Sequence, residues 1–395
     1  RMGIKPLLVA EGGETIAFSS ELPALLASGV DHGGLDTDAF AHYFGTGFIP
    51  SPQTAFENIS KLCPGELAVV SKDGIRRQSF YTPSVSAHDQ GIETAASTVR
   101  ENVEHAIERR LQSDVPLGAF LSGGIDSSIV VAVLSNLLDE QVKTFTVGFE
   151  AERFDEAASA RTVAEHCGTD HTEFTVTAAE VRETVPEVLG RLGEPFADQS
   201  LIPTYVVCRE TSQEVTVALS GDGADELFAG YDRYRGEYLS RYYRTLPKAL
   251  RQKLIEPAVS QLPASRGSRA GEFGRLARKF IRGGIADNAD RHFEWMRIPD
   301  RAAAATVAHD PVQAGRQSMA EQHDSVQSWL PLSRQSDLNE MQSVDVRYTL
   351  PNQMLQKVDT ASMLNSLEVR VPFLDTGVVE HAIGLPTEFK ITGRT

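Results

Sequence analysis

The 395-residue chain is poor in cysteine, lysine and long apolar runs. Its three cysteines, Cys63, Cys167 and Cys208, lie far apart in sequence. They make neither a metal-ligand spacing nor a disulfide framework, and none has an obvious histidine partner. They read as indifferent thiols in a reducing, cytoplasmic compartment. No stretch approaches the ~18 uninterrupted apolar residues of a membrane span, and no signal peptide is visible. The chain opens on Arg1, so it reads as a piece of something longer. There are 9 lysines beside 29 arginines, and 38 basic residues face 54 acidic ones for a net charge of −16. That balance argues against a general nucleic-acid binder, and an acidic, lysine-poor surface suits a high-salt cytoplasm. The one locally basic stretch, "SRGSRAGEFGRLARKFIRGG" (Ser265 to Gly284), reads as a solvated helical surface rather than an RNA site.

What is present changes character along the chain. Residues 1–83 are β-prone: "KPLLVA", "ETIAFSS" and "GELAVVSKDGIRRQSFY" are short strand-like runs separated by turn residues, with "KDGI" as a hairpin turn. Residues 84–92 have linker composition. From Ile92, apolar residues recur at helical spacing (Ala95, Val99, Val103, Ile107, Leu111). Strands and helices then alternate: strand Val115–Leu121, helix Ser127–Leu138, strand Val142–Val147, helix Asp155–His166, strand His171–Val176, helix Thr177–Leu192, strand Val215–Leu219, and a helix from about Ala224. Such alternation predicts an α/β fold with a parallel sheet and helices on its faces over 93–395. Residues 232 to about 350 are mainly helical in pattern.

Two corners carry chemistry. In "FLSGGIDSS" a buried strand breaks at Ser122-Gly123-Gly124 and a helix follows. Glycines let the backbone turn sharply and approach a ligand. The helix start offers free N–H groups and partial positive charge to an anion, and Ser122, Ser127 and Ser128 add hydroxyl donors. Asp126 would repel phosphate unless a divalent cation lay between them, which makes it a candidate Mg²⁺ ligand. No lysine follows the glycines, so this is not a Walker A loop. Ordinary helix capping by Ser or Asp is the plain alternative for one such corner. "VTVALSGDGADELFAGYDRY" repeats the design with Asp222, Asp225 and Glu226 within five residues. Their mutual repulsion calls for a metal, a cationic ligand or raised pKa values.

"SGGIDSS" resembles the pyrophosphate loop of the ATP pyrophosphatase superfamily, whose members cleave ATP between the α and β phosphates and adenylate a substrate. "SGDGADELFAGY" resembles the signature of B-type, glutamine-hydrolysing asparagine synthetases, with Ala229 where glycine is more common. "GEPFADQSLIPTY" (Gly193 to Tyr205) and "LQKVDTASMLNSLEVRVPFLD" (Leu355 to Asp375) resemble further segments of that family, with Thr360 where arginine is usual. The resemblance implies an adenine-nucleotide-alpha-hydrolase-like sheet. It implies ATP contacts at Leu121, Ser122, Gly123, Gly124, Asp126, Ser127, Val147, Ser220 and Gly221, and Mg²⁺ shared by Asp126 and Asp225. Catalytic roles fall on Asp222, Asp225 and Glu226. For Asp359 and Arg370, structural pairing weighs at least as much as substrate binding.

"RMGIKPLLVA", "FSSEL" and "GFIPSPQTAFENISKLCPGE" resemble the β-rich latter half of the family's N-terminal-nucleophile glutaminase domain. The family's nucleophile is the first residue of the mature protein, so the resemblance implies no glutaminase nucleophile in this chain; Cys63 is not it. The far end stops before a lysine that assists the family's synthetase chemistry. The implied reaction converts aspartate and ATP to β-aspartyl-AMP and pyrophosphate, then to asparagine with ammonia from glutamine, with a homodimer among the arrangements the family allows. A β-lactam-forming or other amide-forming relative shares both corners and differs in the acyl pocket. A non-catalytic relative and a tRNA-modifying pyrophosphatase are weaker alternatives.

Overall fold

The computed structural model describes residues 1–72, 74–149, 157–263, 268–284, 287–297, 311–327, 330 and 336–392. The first 81 residues build a three-stranded antiparallel sheet of β1 (Leu8–Gly12), β2 (Thr15–Ser19) and β3 (Ile59–Lys61), in the order β2-β1-β3. A separate hairpin joins β4 (Glu66–Ser71) and β5 (Gly74–Ser79), paired from Glu66↔Ser79 to Ser71↔Gly74. Two helices that the sequence pattern does not announce, α1 (Leu22–Ala27) and α2 (Thr37–Thr46), accompany them. α2 starts where the Asp36 carboxylate accepts from the Asp38 and Ala39 N–H groups. At the hairpin turn, Asp73 lies outside the described residues.

After the linker, α3 (Ile92–Glu108) opens the larger unit. Its strands are β6 (Leu117–Phe120), β7 (Lys143–Phe149), β8 (Asp170–Val176), β9 (Val217–Leu219) and β10 (Glu368–Arg370), all parallel, in the order β10-β9-β6-β7-β8. Helices α4 (Ile125–Leu137), α5 (Ala157–Cys167), α6 (Ala178–Leu189), α7 (Leu201–Thr211), α8 (Ala224–Phe228) and α9 (Asp232–Thr245) follow the strands. The expected start of α5 at Asp155 falls outside the described residues. β10 pairs Val369 with Ala218 of β9.

Alternate residues of the strands feed two cores. Ala119 and Leu219 join α4 residues Val130, Val131 and Leu134 on one side. Phe145, Ala218 and Val369 join α7 residues Tyr205, Val206 and Cys208 on the other. This alternation explains why the strands read as continuously apolar. Helical residues 337–363 include a π-helical stretch, Asp345–Met354, that contains Pro351. The chain leaves β6 toward β7 and β8, then returns to β9 on the opposite flank of β6. The strand order therefore reverses between β6 and β9, where open α/β sheets leave a crevice at their carboxyl ends.

Candidate active site

Both glycine corners lie at that reversal. β6 and β9 run side by side with Gly118 opposite Ala218 and Ala119 opposite Leu219, so the segments leaving them emerge together. Gly123 has φ +81°, and a Cβ there would lie 2.5 Å from the Ala160 N and 2.6 Å from the Ser159 backbone. Only glycine allows the loop to pass that tightly against α5. Gly124 immediately precedes α4 and Gly223 precedes α8, and neither glycine has a side chain to cap the first turn. The 13-residue α4 thus directs uncapped N–H groups and the positive end of its dipole toward the corner.

The hydroxyls of the first corner knit the loop together. Ser127 Oγ accepts from the Ser122 N–H at 3.2 Å and donates to the Gly124 carbonyl at 3.2 Å. Ser122 Oγ lies 3.1 Å from Ser127 Oγ and accepts from the Gly124 N–H at 3.3 Å. Ser128 Oγ donates to the Gly124 carbonyl at 2.6 Å. In the second corner Ser220 Oγ donates to Asp222 Oδ2 at 2.7 Å.

A cleft of about 480 Å³ opens here. Leu121, Ser122, Gly124, Asp126, Ser127, Val147, Ser220, Gly221, Asp222 and Asp225 all line it. Gly123 instead packs against α5. Glu226 is fully buried behind the cleft, where it accepts from the Tyr231 hydroxyl at 2.9 Å. Adjacent residues on a helix face different ways, so Asp225 and Glu226 separate although the sequence sets them side by side. Asp359 and Arg370 are engaged elsewhere. Lys5 Nζ lies 2.6 Å from Asp359 Oδ1. Arg370 donates to the Arg110 and Gln112 carbonyls and to Glu368.

The sequence reading missed Lys357, the one cationic side chain among the described residues lining the cleft. Its signal was its place in "LQKVD", two residues before Asp359. Thr146, Thr204, Val207, Tyr231 and Val358 also contribute to the walls.

The electrostatics are those of crowded carboxylates. Burial, then Asp225 and Asp222, push the Asp126 carboxyl up to about 6. Burial also raises Asp225, with Arg233 opposing and Asp222 adding. Burial pushes Glu226 up to about 7. Among the described residues no group of three or more His, Cys, Asp or Glu side chains is arranged to enclose a metal. The carboxylates of Asp126 and Asp225, both lining the cleft beside the uncapped start of α4, fit Mg²⁺ in its usual protein setting, held by one or two carboxylates and completed by substrate oxygens.

Comparison with known proteins bears on the same residues. The asparagine synthase family model matches residues 98–395, which include both corners and all five parallel strands. The chain belongs to the asparagine synthase family. A glutamine amidotransferase domain model matches residues 1–81. Asparagine synthetase [glutamine-hydrolyzing] 1 of Bacillus subtilis is 30% identical over 394 residues, covering 100% of this chain and 60% of the relative. A putative asparagine synthetase of Mycobacterium tuberculosis is 33% identical over 404 residues, covering 100% of this chain and 59% of the relative. Amidase chyE of Penicillium rubens is 24% identical over 372 residues, 86% of this chain and 54% of the relative. The chain thus spans about 60% of the length of its asparagine synthetase relatives. Among its described residues, no helix of this family member is long and apolar enough to cross a membrane.

Proposed function

We propose that this chain carries the ATP-dependent amide-forming half of a glutamine-hydrolysing asparagine synthetase, with aspartate as the acyl substrate. The observation that supports it is the meeting of two acidic glycine corners at the β6–β9 reversal. In this reading ATP is a substrate and lies across both corners. The uncapped N–H groups of α4, with Ser122 and Ser127, hold the pyrophosphate end; Val147 and Leu121 line the nucleotide side. Asp126 and Asp225 would hold Mg²⁺, which when bound offsets the charge on the phosphates. Lys357, in the same cleft wall, supplies a cationic side chain for the phosphates.

The chain's groups act by positioning and by balancing charge, the main demands of phosphoryl-group chemistry. The aspartate carboxylate attacks the α-phosphorus, pyrophosphate leaves, and ammonia then displaces AMP from β-aspartyl-AMP. Ammonia would come from glutamine through the amidotransferase part of the longer protein. Asp222, tied to Ser220, faces the same cleft and is suited to orient the acyl group or incoming ammonia. Glu226 acts from behind the wall through Tyr231.

The amidase relative gives a second reading weight: amide formation on another carboxylate. Exchange of labelled pyrophosphate into ATP decides between them. Exchange that requires aspartate supports the first reading, and exchange driven by a different carboxylic acid, with none from aspartate, supports the second. No exchange with any acid overturns both.

A further inference from the structure

Two motifs remain that the chemistry above does not use, and they touch. Glu194, from "GEPFADQS", is buried, and its Oε1 lies 2.6 Å from Nζ of Lys61, from "ISKLCPGE". Lys61 also donates to the Ile49 carbonyl at 2.6 Å, and Glu194 Oε2 accepts from the Ala55 N–H at 3.1 Å. One carboxylate and one ammonium therefore fasten the 47–61 loop of the amidotransferase-like part to the segment that leads into α7. Beside them the Ala197 N–H donates to the Gly47 carbonyl at 2.8 Å. Phe48, fully buried, belongs to the same core as Phe145, Phe196, Tyr205, Val207 and Val358, and its ring meets Tyr348 edge-on at 5.6 Å.

The connection continues to the cleft. Asp198 Oδ1 accepts from both the N–H and the hydroxyl of Ser200, at 2.8 and 2.6 Å. The Ser200 carbonyl in turn accepts from the Thr204 hydroxyl at 2.8 Å. Thr204 and Val207 are cleft-wall residues, and so are Phe145 and Val358 of the shared core. Phe48 of the amidotransferase-like part thus belongs to the core that backs the cleft wall.

We infer that the Lys61–Glu194 pair, with its carboxylate buried and its ammonium partly so, is a positioning joint through which the amidotransferase part sets α7, and with it the ATP-side wall of the cleft. The inference rests on the ATP reading given above. Neither residue touches the reacting atoms. Removing Lys61 strands the buried Glu194 carboxylate, removing Glu194 leaves the largely enclosed Lys61 ammonium without its partner, and either change frees the segment before α7 to shift. Linkage makes the effect reciprocal: a nucleotide that needs the wall in place must also hold the 47–61 loop.

The test uses the full chain and Mg²⁺–ATP, with titration calorimetry well below each variant's melting temperature. Lys61→Met and Glu194→Gln should each weaken binding by roughly tenfold. The double variant should lose little more than either single one, and Lys61→Arg should recover most of the affinity. In the wild type, saturating Mg²⁺–ATP should slow hydrogen exchange at the 47–61 amides. Unchanged affinity in Lys61→Met, or exchange protection that stops at the cleft walls, overturns the joint. If Lys61→Met does not fold, the wild-type exchange measurement decides alone. A wild type that does not bind Mg²⁺–ATP overturns the ATP reading itself, which separates the two failures.

Discussion

Gly221 of the second corner lies against Asp126 of the first. A Cβ on Gly221 would stand 3.0 Å from the Asp126 Cβ and 2.9 Å from the Ser127 N. The two halves of the site are therefore in van der Waals contact, with no room for a methyl group between them.

Gly221→Ala should drive the corners apart while leaving the fold intact. Misplacing binding groups by a fraction of an ångström to an ångström costs on the order of 10–100-fold. Calorimetric titration with Mg²⁺–ATP should show a loss of that size, with a melting temperature close to that of the wild type.

Asp126→Asn should separate stability from function. Burial and its neighbours raise the Asp126 carboxyl from 3.8 to about 6. The folded state then binds more protons than the unfolded chain between those values, so the ligand-free protein loses stability as pH rises through that window. Asparagine carries no such penalty. At pH 7.5 the variant should be more stable by about 1 kcal/mol, allowing for the half-exposed setting. It should also show no Mg²⁺-dependent pyrophosphate release. Denaturant titration at pH 5 and 7.5 checks the first part: the gain should be larger at pH 7.5.

Asp345→Asn should damage the buried support behind the second corner. The Asp345 carboxylate is fully buried and accepts from Tyr234 Oη at 2.6 Å, Arg233 Nε at 3.2 Å and Thr349 Oγ1 at 2.7 Å, with His292 Nε2 at 3.0 Å. Burial alone would raise its pKa, but Arg233 and His292 outweigh that and hold it far below the ordinary carboxylate range. Its stabilising contribution is present at neutral pH and fades as pH falls through the ordinary carboxylate range. Removing the charge leaves Arg233 buried without it, at a cost of about 3 kcal/mol. Urea unfolding at pH 7 should show that loss, and the difference from the wild type should shrink below pH 4.

Ala229→Gly should stabilise the chain slightly. Ala229 sits in the left-handed region at φ 62°, ψ 38°, where α8 ends. Relief of that strain exceeds glycine's extra unfolded-state entropy by on the order of 0.5 kcal/mol. A small rise in melting temperature with unchanged Mg²⁺–ATP affinity is the expected outcome.

The sheet and the cleft were legible where local signals were strong. Gly123 and Gly221 mark corners where a side chain would clash, and apolar runs flanking them fixed β6 and β9. β10 was hidden because Glu368–Arg370 is three residues long and its pairing partner lies far back in the chain. α2 was hidden in a β-prone region, its start set by Asp36 rather than by an apolar period. Glu226 read as part of the acidic cluster because sequence shows adjacency but not the turn of the helix that carries it behind the cleft. Lys357 stood in the "LQKVD" segment, but its place in the cleft, like the Lys61–Glu194 pair, depends on contacts between distant segments.

The reversal of strand order between β6 and β9 also affects how the chain matures. The two corners are divided in sequence by β7, β8 and their connecting helices, so they meet only once the central pair of the sheet has closed. In the proposed ATP reading, a nucleotide lying across both corners would add its binding energy only to chains in which that pair has closed.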